Sequence, residues 1–167
     1  MKYAKIIEND TVNCKEGITV SLFMSGCPHH CKNCFNQETW NPNFGTEINI
    51  DELCSKLNDL INAYGVYRDF SILGGEPCHP KNIEGTTRLA KAFKAKFPKK
   101  DLWIWSGFSF DKDLKDKELM NYADVVVDGQ YIDAVRNPSL KWKGSDNQRV
   151  IDVKKSLKEH NVSLLEQ

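Results

Sequence analysis

The sequence of 167 residues has no long hydrophobic run and no excess of charge of either sign. It contains no stretch of about 18 uncharged apolar residues, so it offers no candidate transmembrane helix. Its opening residues, MKYAKIIENDTV, lack the apolar centre of a secretory signal, so we expect a cytoplasmic protein. Because 23 basic residues balance 23 acidic ones, no overall positive field attracts a nucleic acid. These absences favour a globular protein with a single domain, residues 1–167, and with neither a nucleic-acid nor a membrane partner.

The six cysteines are better interpreted as reduced thiols, metal ligands or core residues than as a disulfide framework, because a cytoplasmic compartment keeps thiols reduced. Three of the six are scattered along the chain, at Cys14, Cys54 and Cys78. The other three fall within eight residues of the segment SGCPHHCKNCFN, at Cys27, Cys31 and Cys34. Their C-x3-C-x2-C spacing is therefore the first feature that points to a function. Cys54 lies on the apolar face of a predicted helix and is expected to be a core residue.

Short apolar runs alternate with amphipathic segments along the chain. Four runs are typical of buried strands that end at glycine-containing loops, at residues 18–24, 70–73, 102–105 and 125–127. Helical patterns follow three of these runs, at residues 51–64, 83–97 and 113–122. Residues 131–147 predict a long loop and residues 148–153 a further strand.

This alternation predicts an α/β fold in which crossover helices join parallel strands, with the functional loops at the carboxyl ends of the strands. A complete eight-stranded barrel needs about 250 residues. We therefore expect a partial TIM-type barrel, truncated and open.

The cysteine segment supplies three thiolates, whereas a closed iron–sulfur or zinc site normally has four protein ligands. One metal position would then be open to an exogenous ligand, which is the arrangement that chemistry requires. Two other interpretations compete: a structural zinc site completed by His29, His30 or a distant cysteine, and three unrelated buried thiols. Neighbouring histidines do not supply the second ligand pair that zinc modules usually have. Both histidines could tune the potential of a bound cluster by hydrogen bonding, but we expect them to be exposed loop residues.

A C-x3-C-x2-C loop directly after the first strand of an α/β fold resembles the radical S-adenosylmethionine enzymes. The segment Gly74-Gly75-Glu76-Pro77, at the end of the next predicted strand, resembles the second motif of that family, which holds the methionine end of S-adenosylmethionine. Two glycines let the backbone approach a ligand closely, and the adjoining carbonyl groups and the Glu76 carboxylate suit an ammonium group.

Within this family, the segments FMSGCPHHCKNCFNQETW, VVVDGQY and GSDNQRVID resemble the activating enzymes of anaerobic ribonucleotide reductase. The resemblance covers residues 17–153. It implies a [4Fe-4S] cluster held by Cys27, Cys31 and Cys34, with S-adenosylmethionine on the fourth iron. One electron from a low-potential donor would cleave this cofactor to a 5'-deoxyadenosyl radical. The radical would then take hydrogen from a glycine of the reductase's large subunit. No general acid or base is expected.

The resemblance also implies weaker candidates for cofactor contact, which are Asn33, Phe35, Ser106, Asp128 and Gln130. The family usually has an aromatic residue before the last cysteine, whereas this sequence has Asn33 there and Phe35 just after it. Ser106 and Asp128 also suit simple turns. Two alternative functions stay open: another small radical S-adenosylmethionine enzyme, acting on a different glycyl-radical enzyme or on a small molecule, and a non-catalytic zinc-binding module.

Overall fold

The computed structural model describes residues 1–166, and its centre is a seven-stranded sheet. In chain order the strands are β1 Lys2–Asp10, β2 Thr19–Met24, β3 Thr46–Glu47, β4 Asp69–Gly74, β5 Leu102–Trp105, β6 Val125–Asp128 and β7 Arg149–Asp152. The α-helices are α1 Ile50–Asn62, α2 Ile83–Lys96 and α3 Val153–Glu159. The strands lie side by side in the order β3-β1-β2-β4-β5-β6-β7.

The middle of the sheet is parallel and its edges are antiparallel. Strands β2, β4, β5 and β6 pair in parallel, so their carboxyl ends meet at the same edge of the sheet. On one side β1 pairs antiparallel with β2 and with β3, and on the other side β7 pairs antiparallel with β6. The predicted α/β fold with parallel central strands and an open sheet is confirmed, whereas the TIM-type barrel is not confirmed.

The predicted central strands match the observed ones to within one residue at each end, because continuous apolar runs become fully buried strands. The helix predicted at residues 51–64 ends two residues earlier, at Asn62. Its start is fixed by Asn49, whose side-chain oxygen accepts hydrogen bonds from the N–H groups of Asp51 and Glu52 at 3.1 and 3.3 Å.

The helix predicted at residues 113–122 is wrong. The segment forms a π-helical turn at Phe110–Leu114 and a separate 3-10 turn at Glu118–Asn121. Lys117 between them has an extended backbone, with φ −82° and ψ 139°, which breaks any continuous helix. The sequence also gave no signal for β1, β3 or α3. In β1 the charged residues obscure the alternation of apolar and polar positions that marks a half-buried strand.

Helices α1 and α2 cover one face of the sheet. Their buried side chains include Leu53 and Leu57 from α1 and Phe93 from α2, and they pack on strand residues such as Leu22 and Ile72. The other face has a smaller apolar cluster around Trp103, whose indole stacks on that of Trp105 with ring centres 5.6 Å apart. Within residues 1–166, none of the helices combines the length and apolar character needed to cross a bilayer.

The carboxylate of Asp10 fixes the end of β1 to β2. It accepts hydrogen bonds from the Ser21 hydroxyl at 2.7 Å, from the Asn13 amide at 2.6 Å and from the N–H of Val12 at 2.8 Å. Burial acts to raise the pKa of Asp10, but these hydrogen bonds outweigh it and the pKa is lowered. The ionised form therefore stabilises the folded protein.

We expect Asp10→Asn to lower the free energy of unfolding at neutral pH by about 2 kcal/mol, because these bonds favour the charged form. The contribution is present above the pKa of an unfolded carboxyl group, about 3.9, and disappears as the pH falls through the lower folded-state pKa. Urea unfolding across this range measures it. The exposed Asp59 of α1 provides the control Asp59→Asn. A pH-independent difference between wild type and Asp10→Asn would contradict the assignment.

Candidate functional site

A cavity of about 680 Å³ lies at the carboxyl ends of the parallel strands, within the size range of small-molecule sites. Its wall combines the loop after β2, the end of β4, the end of β5 and the long loop after β6. The topology explains this position, since parallel strands deliver their following loops to one edge of the sheet.

The segment 27–34, here called the cysteine loop, lines one side of the cavity with all three of its cysteines. The loop turns sharply because His30 and Asn33 have left-handed backbones, with φ of 48° and 57°. Its base is anchored by hydrogen bonds from the N–H of Cys27 to the Trp40 carbonyl, at 3.2 Å, and from the N–H of Gly26 to the Thr39 carbonyl, at 2.7 Å. The thiols of Cys27, Cys31 and Cys34 are partly exposed and unpaired.

The donor set of the cavity suits an iron–sulfur cluster. Three thiols on one short loop share one cavity, and thiolates are the ligands that such clusters use. Burial raises the pKa of the Cys27 thiol to about 11, so a bound metal would have to displace its proton. The scattered cysteines Cys14, Cys54 and Cys78 lie outside the cavity lining. Among residues 1–166, no three His, Cys, Asp or Glu side chains are grouped closely enough to hold one metal ion between them.

Gly74 and Gly75 also line the cavity, and neighbouring backbone makes both glycines necessary. A Cβ atom on Gly74 would lie 2.8 Å from the backbone of Phe23 and Met24. A Cβ atom on Gly75 would lie 2.8 Å from the carbonyl oxygen of Gly26. The missing side chains thus let the end of β4 fit against the base of the cysteine loop, a packing role that the sequence analysis did not anticipate.

The Glu76 carboxylate is fully buried and bonded within the protein. Its Oε1 accepts hydrogen bonds from the N–H of Cys78 at 2.9 Å and from the Ser106 hydroxyl at 2.8 Å. Its Oε2 accepts from the N–H of Gly107 at 2.7 Å and lies 3.0 Å from Nε2 of His29. The carboxylate predicted to face an ammonium group therefore joins three loops of the protein.

The other predicted site residues divide into two groups. Asn33, Phe35 and Ser106 line the cavity. The Asn33 amide donates to the Asp133 carboxylate at 2.9 Å, in a contact exposed to solvent. The Phe35 side chain is 93% exposed, so its ring does not pack in the core. Pro77 lies outside the lining and is buried, with its carbonyl accepting from the Thr86 hydroxyl at 2.9 Å.

Asp128 and Gln130 also lie outside the cavity lining. Asp128 is buried, and its carboxylate accepts from Nε of Arg149 at 2.9 Å and from the N–H of Phe110 at 2.7 Å. Arg149 also pairs with Asp111 at 2.6 Å and lowers the pKa of that carboxyl to about 2. Asp128 thus braces β6, β7 and the turn at 110–114 behind the cavity. Gln130 donates from its amide to the His29 carbonyl at 3.2 Å.

Sequence reasoning missed the contribution of the long loop after β6. Tyr131, Asp133, Arg136, Trp142 and Lys143 all line the cavity. The indole N–H of Trp142 donates to the Cys14 carbonyl at 2.6 Å, which holds this loop against the connection between β1 and β2. The available signal was position alone, since the loop follows the carboxyl end of a parallel strand.

Comparison with known proteins gives a family match and a set of relatives. The model of the family described as a 4Fe-4S single cluster domain matches residues 15–151. The chain is similar to the anaerobic ribonucleoside-triphosphate reductase-activating protein of Enterobacteria phage T4, with 37% identity over 90% of this chain and 93% of the relative. It is similar to proteins of the same name from Haemophilus influenzae, 35% identical over 89% and 96%, and Escherichia coli strain K12, 36% identical over 90% and 97%.

We expect Asp128→Asn to destabilise the protein by about 2 kcal/mol even without any cofactor, because it removes charge from hydrogen bonds to a guanidinium group. Urea unfolding of the metal-free protein measures this. The exposed Asp116 supplies the control Asp116→Asn, with an expected change within about 0.5 kcal/mol. Unchanged stability in Asp128→Asn together with weakened cofactor binding would instead support direct cofactor contact.

Proposed function

Because this chain belongs to the 4Fe-4S family of anaerobic ribonucleoside-triphosphate reductase-activating proteins, we propose that it activates such a reductase with a [4Fe-4S] cluster and S-adenosylmethionine. It is a glycyl-radical activating enzyme of the radical S-adenosylmethionine type. The sequence identity of 37% and 36% covers 93% and 97% of the phage T4 and Escherichia coli relatives, so the likeness extends well beyond the cysteine loop.

One observation carries the assignment of the site. The cysteine loop and residues 74–76 border the same cavity, although the two segments are far apart in the sequence. A cluster held by Cys27, Cys31 and Cys34 and a cofactor held beside Gly74 and Gly75 would therefore be neighbours. When bound, the two groups would supply reductive cleavage of the sulfonium of S-adenosylmethionine by one electron from an external donor, and with it the abstraction of hydrogen from a glycine of the partner.

The protein's own residues bind and orient these groups. Glu76 holds the loops after β2, β4 and β5 together, and the Ser106 hydroxyl supports this carboxylate by donating a hydrogen bond to it. Cofactor contact for Asn33 and Phe35 is supported by their position in the cavity lining. No proton transfer is required of any side chain, since the difficult chemistry belongs to the cofactor.

The partner is the large subunit of the reductase, which carries the target glycine, and a low-potential donor supplies the electron. The balance of 23 basic and 23 acidic residues supports a protein partner over a nucleic acid. We place the protein in the cytoplasm, where thiols stay reduced. The whole chain would act as a single domain, because one sheet takes strands from Lys2 to Asp152.

Anaerobic reconstitution with iron and sulfide, followed by dithionite, S-adenosylmethionine and an anaerobic reductase, tests the function directly. We expect a glycyl-radical doublet on the reductase in electron paramagnetic resonance. Cleavage of S-adenosylmethionine without a radical on the reductase would favour a different radical S-adenosylmethionine enzyme. A colourless protein with one zinc per chain would favour the zinc-binding module.

We expect Cys31→Ser to abolish 5'-deoxyadenosine formation, because it removes one of the three cluster ligands. Cys54→Ser is the matched control, since Cys54 packs against the core from α1 and lies outside the cavity lining. It should cost only about 1 kcal/mol of stability. Chromatographic assay of 5'-deoxyadenosine measures both. Equal losses of product in the two variants would contradict the ligand assignment.

A further inference from the structure

His29 is not the exposed loop residue that the sequence predicts. Its side chain is only 14% exposed, and Nε2 lies 3.0 Å from Oε2 of the buried Glu76. The remaining contacts of this carboxylate come from N–H and O–H donors, so we assign the imidazole proton to Nε2, which donates to Glu76. His29 thus brings the middle of the cysteine loop to a fixed acceptor inside the protein.

Glu76 is held independently of the cysteine loop. Its other donors, the N–H of Cys78, the Ser106 hydroxyl and the N–H of Gly107, follow β4 and β5. These strands pair in parallel in the middle of the sheet. The acceptor for His29 is therefore part of the framework, and the loop is the element that is positioned by the contact.

The imidazole fills a space that the β5 loop leaves for it. A Cβ atom on Gly107 would lie 2.5 Å from Cδ2 and Nε2 of His29, so only glycine fits at this position with the ring in place. The ring of Phe108 meets the imidazole edge-on, with centres 4.7 Å apart. The Gln130 amide donates a hydrogen bond to the His29 carbonyl at 3.2 Å.

Within residues 28–32, the hydrogen bonds to described residues outside the cysteine loop all involve His29. Gly26 and Cys27 are tied by backbone bonds to residues 39 and 40, and Asn33 is tied to Asp133. The bond from the N–H of Cys34 to the Cys31 carbonyl lies within the loop. His30 adds a stacking contact on Trp40, with ring centres 4.7 Å apart.

We propose that the hydrogen bond between His29 and Glu76 sets the shape of the cysteine loop before the cluster binds, which makes His29 a positioning residue. The inference rests on the proposed cluster site. Holding ligands in place in advance removes part of the ordering cost of binding. The bond also joins the cysteine loop to the two loops beside which the cofactor is held, so one contact aligns both halves of the site.

Alkylation of the metal-free protein by iodoacetamide, mapped by mass spectrometry, tests this role without any activity assay. His29→Phe keeps a ring in the space but removes the donor, and we expect Cys27 and Cys31 to react about tenfold faster, as loss of a charge-assisted hydrogen bond implies. His29→Gln, whose amide can still donate, should restore most of the protection. Gly107→Ala should reproduce the effect of His29→Phe by displacing the ring.

Two controls separate the loop from the whole protein. Cys14, buried to 3% exposure and remote in sequence, reports global unfolding in the same sample. His79→Phe makes the same change at a histidine whose ring, among residues 1–166, accepts a hydrogen bond only from the N–H of Lys81, at 3.0 Å, and should leave the rates unchanged. Any of three results would overturn the proposal. The first is an unchanged rate at Cys27 and Cys31 in His29→Phe, and the second is an equal rise at Cys14 in both His29→Phe and Gly107→Ala. The third is a failure of His29→Gln to restore the protection.

A second measurement uses the reconstituted protein. Iron loss to a chelator should be about tenfold faster in His29→Phe than in wild type, in the range found when outer-shell partners of metal ligands are removed. Equal rates of iron loss would count against the proposal. If the wild type assembles no cluster, the proposed function fails, whereas the alkylation rates still decide whether His29 positions the loop.

Discussion

The architecture of the site depends on a buried carboxylate. Glu76 has no exposed surface, and an unpaired charge in that place would be strongly destabilising. The fold meets this cost with donors from three different loops, including Ser106, Gly107 and His29. The same requirement that keeps the carboxylate satisfied also fixes the loops relative to each other, so a constraint of folding becomes the geometry of the cavity.

The close approach of backbones at the strand ends completes this arrangement. Gly75 donates its N–H to the Met24 carbonyl at 2.8 Å, and Glu76 donates its N–H to the Gly26 carbonyl at 2.9 Å. These bonds continue the pairing of β2 and β4 beyond the strands themselves. The glycine pair is thus explained by contacts within the protein, before any ligand is considered, and the cysteine loop begins from a rigid base.

Local patterns in the sequence predicted the central strands and several residues of the cavity wall, but not the contacts between those residues and the rest of the protein. Uninterrupted apolar runs gave β4 and β5, because strands buried on both faces have that composition. Strand β1 was missed because its charged residues interrupt the apolar pattern of a strand. The pairing of His29 with Glu76, across 47 positions, depends on strand order and loop approach, which no local pattern encodes. The pairing of Asp128 with Arg149 was not predicted for the same reason, since Arg149 comes from β7.

The open sheet has a consequence for the medium in which the reaction takes place. A closed barrel surrounds its reactants with protein, whereas here antiparallel edge strands end the sheet and one wall of the cavity is a long loop. Bulk water therefore has access to the reacting groups until another macromolecule covers the mouth. The low-dielectric, dry environment that a reactive intermediate requires is then a property of the complex, because the isolated protein does not enclose the cavity by itself.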